Sequence, residues 1–523
     1  MKNNNRYYIP ILLMAFLAVG VFLGTKLTTV SSIKEPVKYS KFQEIIQLLD
    51  QEYVDSIKDK TLFEDAISDM LHKLDPHSNY IPAEDLKAVN EQIDGKFGGV
   101  GIRFAIYRDT LCVTNVVPFS PSYKAGVQAG DKIIAIEGKN VASVNLKNEE
   151  VLKSLKGDPA TKVSVTLYRN KKKKNVTLIR DIIPISSIVS ACMLNKSTGY
   201  IRLETFSMTS AEEFRYEAQK LRAQGMKNLI FDLRDNGGGV LSAAVHIADE
   251  FLPKGHKIVM VKGKKYKEVT YSSTAGGVLE KTKVVVLINE NSASASEILA
   301  GAIQDNDRGF IVGRRSFGKG LVQQDFSLKD KSDLRLTVAR YYTPSGRCIQ
   351  KPFGESYEDY NHSYLKREKS GEFFKVDSSV FKNSKKFKTL KGRTVYDGGG
   401  IMPDYFIPLD TSNSTVYYVG LRFSGAFQQF AFNFVSDKRE NWKNVYAFNE
   451  QFQVTDLMLR DLTTLAEKHL KVPLIQDEFN RSKGLIKRYL KAEIARQIFV
   501  ENGYFYVLST DDPEVQKALS LLK

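Results

Sequence analysis

Cysteine is scarce in this chain of 523 residues, with three in all. Cys112, Cys192 and Cys348 lie far apart and are odd in number, so no disulfide framework closes and buried free thiols are expected. No Cys-x-x-Cys or His-x-x-x-His pair occurs, which removes the common zinc sites; no metal and no other cofactor is expected. Histidine is sparse too: the six stand at 72, 77, 246, 256, 362 and 469, none in a Gly-x-Ser-x-Gly or comparable setting. A serine nucleophile with a histidine base therefore lacks support. His77, in Leu74-Asp75-Pro76-His77-Ser78, reads as a structural turn residue with no partner in sight.

Acidic residues are missing from the N-terminus until Glu35, while Lys2 and Arg6 precede an apolar run at 9–24. A basic start followed by an apolar run is an export signal. The run falls short of the ~20 residues of a comfortable membrane span. Gly24 and Thr25 behind it make no clear cleavage site, so an uncleaved anchor is favoured. The expected location is the cell envelope, anchored in the inner membrane and facing the periplasm, or periplasmic if the signal is removed.

The rest is globular in composition, with 42% hydrophobic and 26% charged residues, and long enough for several domains. A net charge of +16 suggests an acidic partner. No zinc-finger or RNA-binding motif accompanies it, so no nucleic-acid partner is expected. The excess gathers at Lys171, Lys172, Lys173 and Lys174 and along 366–393, which reads as a solvated insertion.

Residues 39–90 carry apolar side chains at helical spacing, as in Phe42, Ile45, Ile46 and Leu49. From 95 to 180 short β-rich runs alternate with Gly, Pro and Asp turns, the pattern of a small β-domain. Between 182 and 408 two strand–loop–helix units stand out. In one, a strand at 228–233 leads through Arg234-Asp235-Asn236-Gly237-Gly238-Gly239 into a helix; in the other, a strand at 283–288 leads through Asn289 and Ala293 into a helix. Strands alternating with helices predict an α/β core. The tail from about 411 is helix-patterned and shows no chemistry; lid, dimerisation surface and packing against the core all stay open.

Asn291-Ser292-Ala293-Ser294-Ala295-Ser296-Glu297 joins a strand to a helix, and Ser294-x-x-Glu297 fits a capping box. A cap explains one serine, not three alternating with alanine. A serine at a helix start also sits beside outward-pointing N–H groups that stabilise an oxyanion. It needs a base. Lysine serves once neutral, which requires a pKa drop worth about 4 kcal/mol, and burial supplies that. Lys319 is the candidate, flanked by Phe317, Gly318, Gly320 and Leu321. Gly313-x-x-x-x-Gly318-Lys319 also imitates a phosphate-binding loop, but Gly320 stands where Ser or Thr would hold magnesium, and a strand follows. An ATPase is set aside.

Gly98-Gly99-Val100-Gly101-Ile102, followed by Ala125-Gly126 and Gly130-Asp131, resembles a PDZ domain. The resemblance implies that the loop of Gly98, Gly99, Val100 and Gly101 takes a terminal carboxylate while the strand from Ile102 pairs with the peptide. The serine and lysine motifs, with Leu74-Asp75-Pro76-His77-Ser78, Asp232-Leu233-Arg234-x-Asn236-x-Gly238-Gly239, Tyr342-Thr343-Pro344-Ser345-Gly346-Arg347 and Gly399-Gly400-Ile401-x-Pro403-Asp404, resemble the carboxy-terminal processing peptidases, the tail-specific serine proteases. The resemblance spans about 70–408. It implies Ser294 as nucleophile, Lys319 as general base and Gln323 as the residue orienting the lysine. It further implies an oxyanion hole made by the backbone N–H groups of Ala295 and of a glycine in the loop of Gly237, Gly238 and Gly239, with Gly238 preferred, and Glu297, Asp232 and Arg234 in support. Arg314 and Arg315 stand where the family often carries an acidic residue, which puts the electrostatics around Lys319 in question.

The expected architecture is a multidomain α/β (α+β) protease core at 181–410 with an inserted PDZ-like β-domain at 93–180. An anchor at 1–31, an N-terminal helical region at 32–92 and a C-terminal helical extension at 411–523 complete it. The expected activity is that of a serine endopeptidase acting on exported proteins through their C-terminal tails, with membrane contact through the N-terminal segment and a homo-oligomer or adaptor contact through the extension. The competing reading is a non-catalytic PDZ scaffold with a degenerate core.

Overall fold

The computed structural model describes residues 14–19, 37–56, 59–354, 356–375, 382, 384–436 and 438–523. The apolar run at 9–24 lies outside the described residues apart from a helical stretch at 14–19. Among the described residues no helix is long and apolar enough to cross a membrane. The chain divides into a small unit, 1–69, and a large one, 70–523. The small unit contains the helix Val37–Glu52 and most of Asp59–His72, as the spacing predicts, with Phe42, Ile45 and Leu49 exposed.

In the large unit the β-domain is an antiparallel sheet ordered Ile102–Ile106, Leu111–Val116, Lys132–Ile136, Lys162–Arg169, Lys172–Ile179. Alternation puts Val163, Val165 and Leu167 inside, where Val151 and Leu155 of the helix Asn148–Leu155 cover them. Lys172, Lys173 and Lys174 are the exposed start of the last strand. Ile102–Ile106 is the opposite edge, and among the described residues no strand pairs with its outer side.

The protease-like core is built on a six-stranded sheet whose chain order is also its spatial order: β1 (Ile188–Met193), β2 (Thr198–Leu203), β3 (Asn228–Asp232), β4 (Lys283–Ile288), β5 (Phe310–Gly313) and β6 (Tyr405–Phe406). All neighbours from β2 onward are parallel; β1 is antiparallel. Parallel strands buried on both faces need continuous apolar runs, which explains Val284, Val285, Val286, Leu287 and Ile288. Odd and even positions then part company. Leu229, Phe231, Val284 and Val286 pack under helices α1 (Ser210–Ala223), α2 (Leu241–Asp249) and α3 (Ala295–Asp305). Ile230, Val285 and Leu287 face the other way.

That second face answers what the extension does: it packs against the core. Helix α4 (Gln476–Ser509) kinks at Phe499 and Val500, and Asn502 beyond the kink accepts from Ser190 Oγ at 2.9 Å. Helix α5 (Pro513–Leu521) seats Val515, Ala518 and the following Leu522 on β3, β4 and β5. Burying side chains such as these is worth about 1.5–3 kcal/mol each. The extension also reaches the β-domain, through Arg103–Glu501 and through Tyr107 against Phe432.

The segment read as a solvated insertion is partly a correction. Within 366–393, Arg367 pairs with Glu372 at 2.8 Å and donates to the carbonyls of Arg315 and Ser316, while Phe373 is buried. Its guanidinium props the loop leading to Lys319. Cys112 and Cys192 are buried free thiols as expected; Cys348 is half-buried.

Candidate active site

Ser294 stands between the end of β4 and the first residue of α3, with φ 55° and ψ −112°. This left-handed backbone is unfavourable for a residue with a Cβ and costs about 1–3 kcal/mol. The neighbours separate the three serines by geometry. Ser292 Oγ donates to the Leu233 carbonyl at 2.8 Å, Ser296 Oγ to the Asn236 carbonyl at 2.9 Å, and both residues are fully buried. Of the three, Ser294 alone lines a cavity of about 350 Å³, together with Lys319, Gln323, Ala295, Gly237, Gly239, Ile298 and Tyr341.

Lys319 enters this cavity from the loop between β5 and the strand Leu321–Ser327. Its Nζ donates to Gln323 Oε1 at 2.9 Å. Burial, then the positive charge of Arg335, lowers its pKa from the usual lysine value, which favours the neutral amine. Arg314 and Arg315 do not supply that charge. Arg314 is held by Glu290 at 2.7 Å and Glu514 at 2.6 Å, and Arg315 by Glu372 at 2.8 Å.

His77 is a turn residue, as the sequence reading has it, but one with partners that the sequence did not reveal. Gln323 Nε2 donates to the His77 carbonyl, and His77 Nε2 meets the Tyr360 hydroxyl at 2.8 Å. Asp75 fixes the turn by accepting from the N–H groups of His77 and Ser78, each at 2.8 Å, and from Ser78 Oγ at 2.7 Å. Burial, then Lys319, pushes the His77 imidazole down to about 4, so it is neutral at pH 7. The turn thus backs the side chain that holds the lysine.

Glu297 caps α3 by accepting the Ser294 N–H at 2.9 Å, and it does more. The same fully buried carboxylate accepts from Ser316 Oγ at 2.5 Å, Gly318 N–H at 2.7 Å and Lys319 N–H at 2.8 Å. One side chain therefore clamps both the serine turn and the lysine loop. Burial raises its pKa to about 7 against the pull of those donors. Tyr341 adds a second clamp, its hydroxyl donating to the carbonyls of Ser294 at 3.0 Å and Lys319 at 2.5 Å. Tyr341 lies just before the Tyr342-Thr343-Pro344-Ser345-Gly346-Arg347 motif, and the sequence reading assigned it no role.

The oxyanion donors come out differently from expectation in one detail. The Ala295 N–H makes no hydrogen bond among the described residues and borders the cavity. Gly238 packs against the nucleophile; with φ 101°, a Cβ there would meet the Ala293 carbonyl oxygen at 2.7 Å and Ser294 Cβ at 2.8 Å. Its N–H, however, is engaged by Asn236 Oδ1 at 2.8 Å. The N–H groups of Gly237 and Gly239 have no partner among the described residues, and both glycines line the cavity. Asp232 and Arg234 lie behind this loop. Burial alone would raise the Asp232 carboxyl, but Arg202 at 2.9 Å and Arg234 at 2.7 Å hold it well below the usual range.

In the β-domain, Gly98 and Gly99 belong to a two-stranded ribbon, Lys96–Gly99 against Asp181–Pro184, at the entry and exit of the module. The loop proper is therefore Val100 and Gly101, whose N–H groups make no bond among the described residues. Gly101 has φ 77°, and a Cβ there would meet Ser120 Cβ at 2.2 Å. Ile102 follows at the start of the free edge strand.

Comparison with known proteins agrees with this layout. Residues 197–355 match peptidase family S41, 98–179 a PDZ domain, 24–85 the N-terminal domain of the activating protease CtpB, and 417–500 a family of unknown function. A carboxy-terminal-processing protease of Bartonella bacilliformis is 34% identical over 371 residues, 66% of this chain and 84% of the relative. A probable CtpA-like serine protease of Staphylococcus epidermidis is 31% identical over 66% of this chain and 73% of its own length. Among solved structures, the photosystem II D1 C-terminal processing protease is 31% identical, covering 59% of this chain and 83% of that one, with a TM-score of 0.35. With its PDZ domain and its serine and lysine on one cavity, the chain belongs to peptidase family S41, as a serine-type carboxy-terminal processing protease.

Proposed function

We propose that the protein is an endopeptidase whose Ser294–Lys319 dyad cleaves proteins presented by their C-terminal tails through the PDZ domain. The carrying observation is that Ser294, alone of its three serines, shares a cavity with a half-buried lysine whose pKa is lowered. In this reading neutral Lys319 takes the Ser294 proton and the alkoxide attacks the substrate carbonyl. Ala295 N–H and a glycine N–H of the Gly237, Gly238, Gly239 loop stabilise the oxyanion, a term worth about 2.7–4 kcal/mol per donor. Gly239 is favoured over Gly238 by its unengaged N–H. Protonated Lys319 then gives its proton to the leaving amine, and water, deprotonated by the lysine, releases the acyl group.

Among the described residues no hydrogen bond joins Ser294 to Lys319; the pair closes when substrate fills the cavity, as catalytic contacts commonly do. The tail enters as an added strand on Ile102–Ile106, its carboxylate on the Val100 and Gly101 N–H groups. The export-type N-terminus supports a place in the envelope, anchored in or released from the inner membrane. In the test, Ser294→Ala and Lys319→Ala each abolish cleavage of a protein with an apolar C-terminal tail while circular dichroism stays unchanged. A fluorophosphonate probe labels the wild type and not Ser294→Ala. Full activity in both variants sinks the dyad; activity in Ser294→Ala alone shifts the nucleophile to Ser292 or Ser296.

A further inference from the structure

Strands β3, β4 and β5 are neighbours, and their carboxyl ends lead into the three loops that the proposed reaction uses. After β3 come Arg234 and the glycine loop; after β4 come Glu290 and Ser294; after β5 come Arg314 and Lys319. Behind them lies one side chain of the extension. Glu514 Oε1 accepts from Arg314 Nη1 at 2.6 Å, and Glu514 Oε2 accepts from Arg234 Nη1. Arg314 Nε in turn donates to Glu290 Oε2 at 2.7 Å. The chain of contacts Glu290–Arg314–Glu514–Arg234 therefore touches all three loops.

The bridge is buried, with side-chain exposures of 9% for Glu514, 8% for Arg314 and 11% for Arg234. It is also fixed from its own side. Asp512 caps α5 by accepting the Glu514 and Val515 N–H groups at 2.9 and 3.1 Å, and its other oxygen takes Arg234 Nη1 at 2.8 Å. Covering the sheet needs only the apolar face of α5, which Val515 and Ala518 already supply. Buried charge carries a desolvation penalty, and its best-attested use is to fix one arrangement of parts.

We propose that Glu514 is a positioning residue for catalysis: from the last helix it holds the oxyanion, nucleophile and base loops in register through Arg234 and Arg314. The extension is then part of the catalytic unit, although it lies outside the matched peptidase region at 197–355. The proposal rests on the Ser294–Lys319 reading, whose own failure is seen separately in Ser294→Ala and Lys319→Ala.

The test is Glu514→Gln in the full chain, which keeps the shape and removes the charge. Steady-state cleavage of a peptide, the rate of fluorophosphonate labelling at Ser294 and the melting temperature are measured well below the melting transition. The expected result is that kcat and the labelling rate both fall about tenfold or more, as misplaced groups do, with KM within about twofold. A lower melting temperature with kcat unchanged, or a raised KM with kcat kept, overturns the proposal. Should Glu514→Gln not fold, Arg314→Lys cannot hold Glu290 and Glu514 together; it must lower kcat with KM preserved, and an unchanged kcat overturns the proposal equally.

Discussion

Two glycine-flanked loops in this molecule, the one carrying Lys319 and the Val100–Gly101 loop of the β-domain, are built in opposite ways: the first has its N–H groups engaged, the second leaves them open among the described residues. The loop carrying Lys319 is braced from every side: by Glu297 at Ser316, Gly318 and Lys319, by Tyr341 at the Lys319 carbonyl, and by Gln323 at Nζ. The Val100–Gly101 loop of the PDZ domain is held through its carbonyls instead: the Ser120 hydroxyl reaches the Gly101 carbonyl at 3.2 Å, and the Ser122 and Val117 N–H groups donate to the carbonyls of Val100 and Gly101. Chemistry demands placement within a fraction of an ångström, because stabilisation counts only where charge develops. Tail capture draws on main-chain pairing along an edge strand and tolerates a looser loop.

The largest expected effect breaks the braced loop. Glu297→Gln sets an NH2 group against donors that now share a carboxylate oxygen, and each unsatisfied group costs about 1–3 kcal/mol. Peptide cleavage is expected to fall on the order of 100-fold or more. The same residue gives a pH signature. Its folded pKa is raised from 4.5 to about 7, so its stability contribution is full below pH 4.5 and is lost as pH rises through about 7. Activity runs the other way, rising with pH as Glu297 ionises and as Lys319, whose pKa is lowered, becomes neutral. Thermal melts and kcat/KM across pH 4–9 check both; Glu297→Gln should lose the stability slope.

A smaller effect follows from releasing the lysine alone. Gln323→Leu removes the acceptor of Nζ and the link to the His77 carbonyl, and kcat should fall roughly 30-fold with little change in KM. A kcat within about twofold of wild type would mean that burial alone positions Lys319. Smallest is the looser loop. Gly101→Val places a Cβ against Ser120 in a left-handed backbone. KM for a tailed protein should rise about tenfold while short-peptide cleavage stays within about twofold. A changed short-peptide rate would show that the PDZ domain also governs the active site.

Much of the core was legible because its signals are local. The apolar run of β4, the glycines after Arg234 and the strand after Gly320 announce their elements in sequence, and the order of motifs announces the family. Other parts were hidden because their partners are remote. His77 looked solitary until a strand some 246 residues on brought Gln323 to its carbonyl. Gly238 matched by position, yet only the folded loop reveals that Asn236 engages its N–H.

By itself the sequence determined the α/β core and the β-domain, since these rest on periodicity and spacing; Lys319 as a candidate base came from the resemblance of its motif to a family. Tertiary structure decided which serine faces the cavity, because Ser292 and Ser296 are turned to carbonyls of the loop that follows β3. It also decided that Glu297 clamps two loops and that Glu514 stands behind three. A carboxylate does not declare its donors in sequence; they become its neighbours only when the parallel sheet brings its strand ends together.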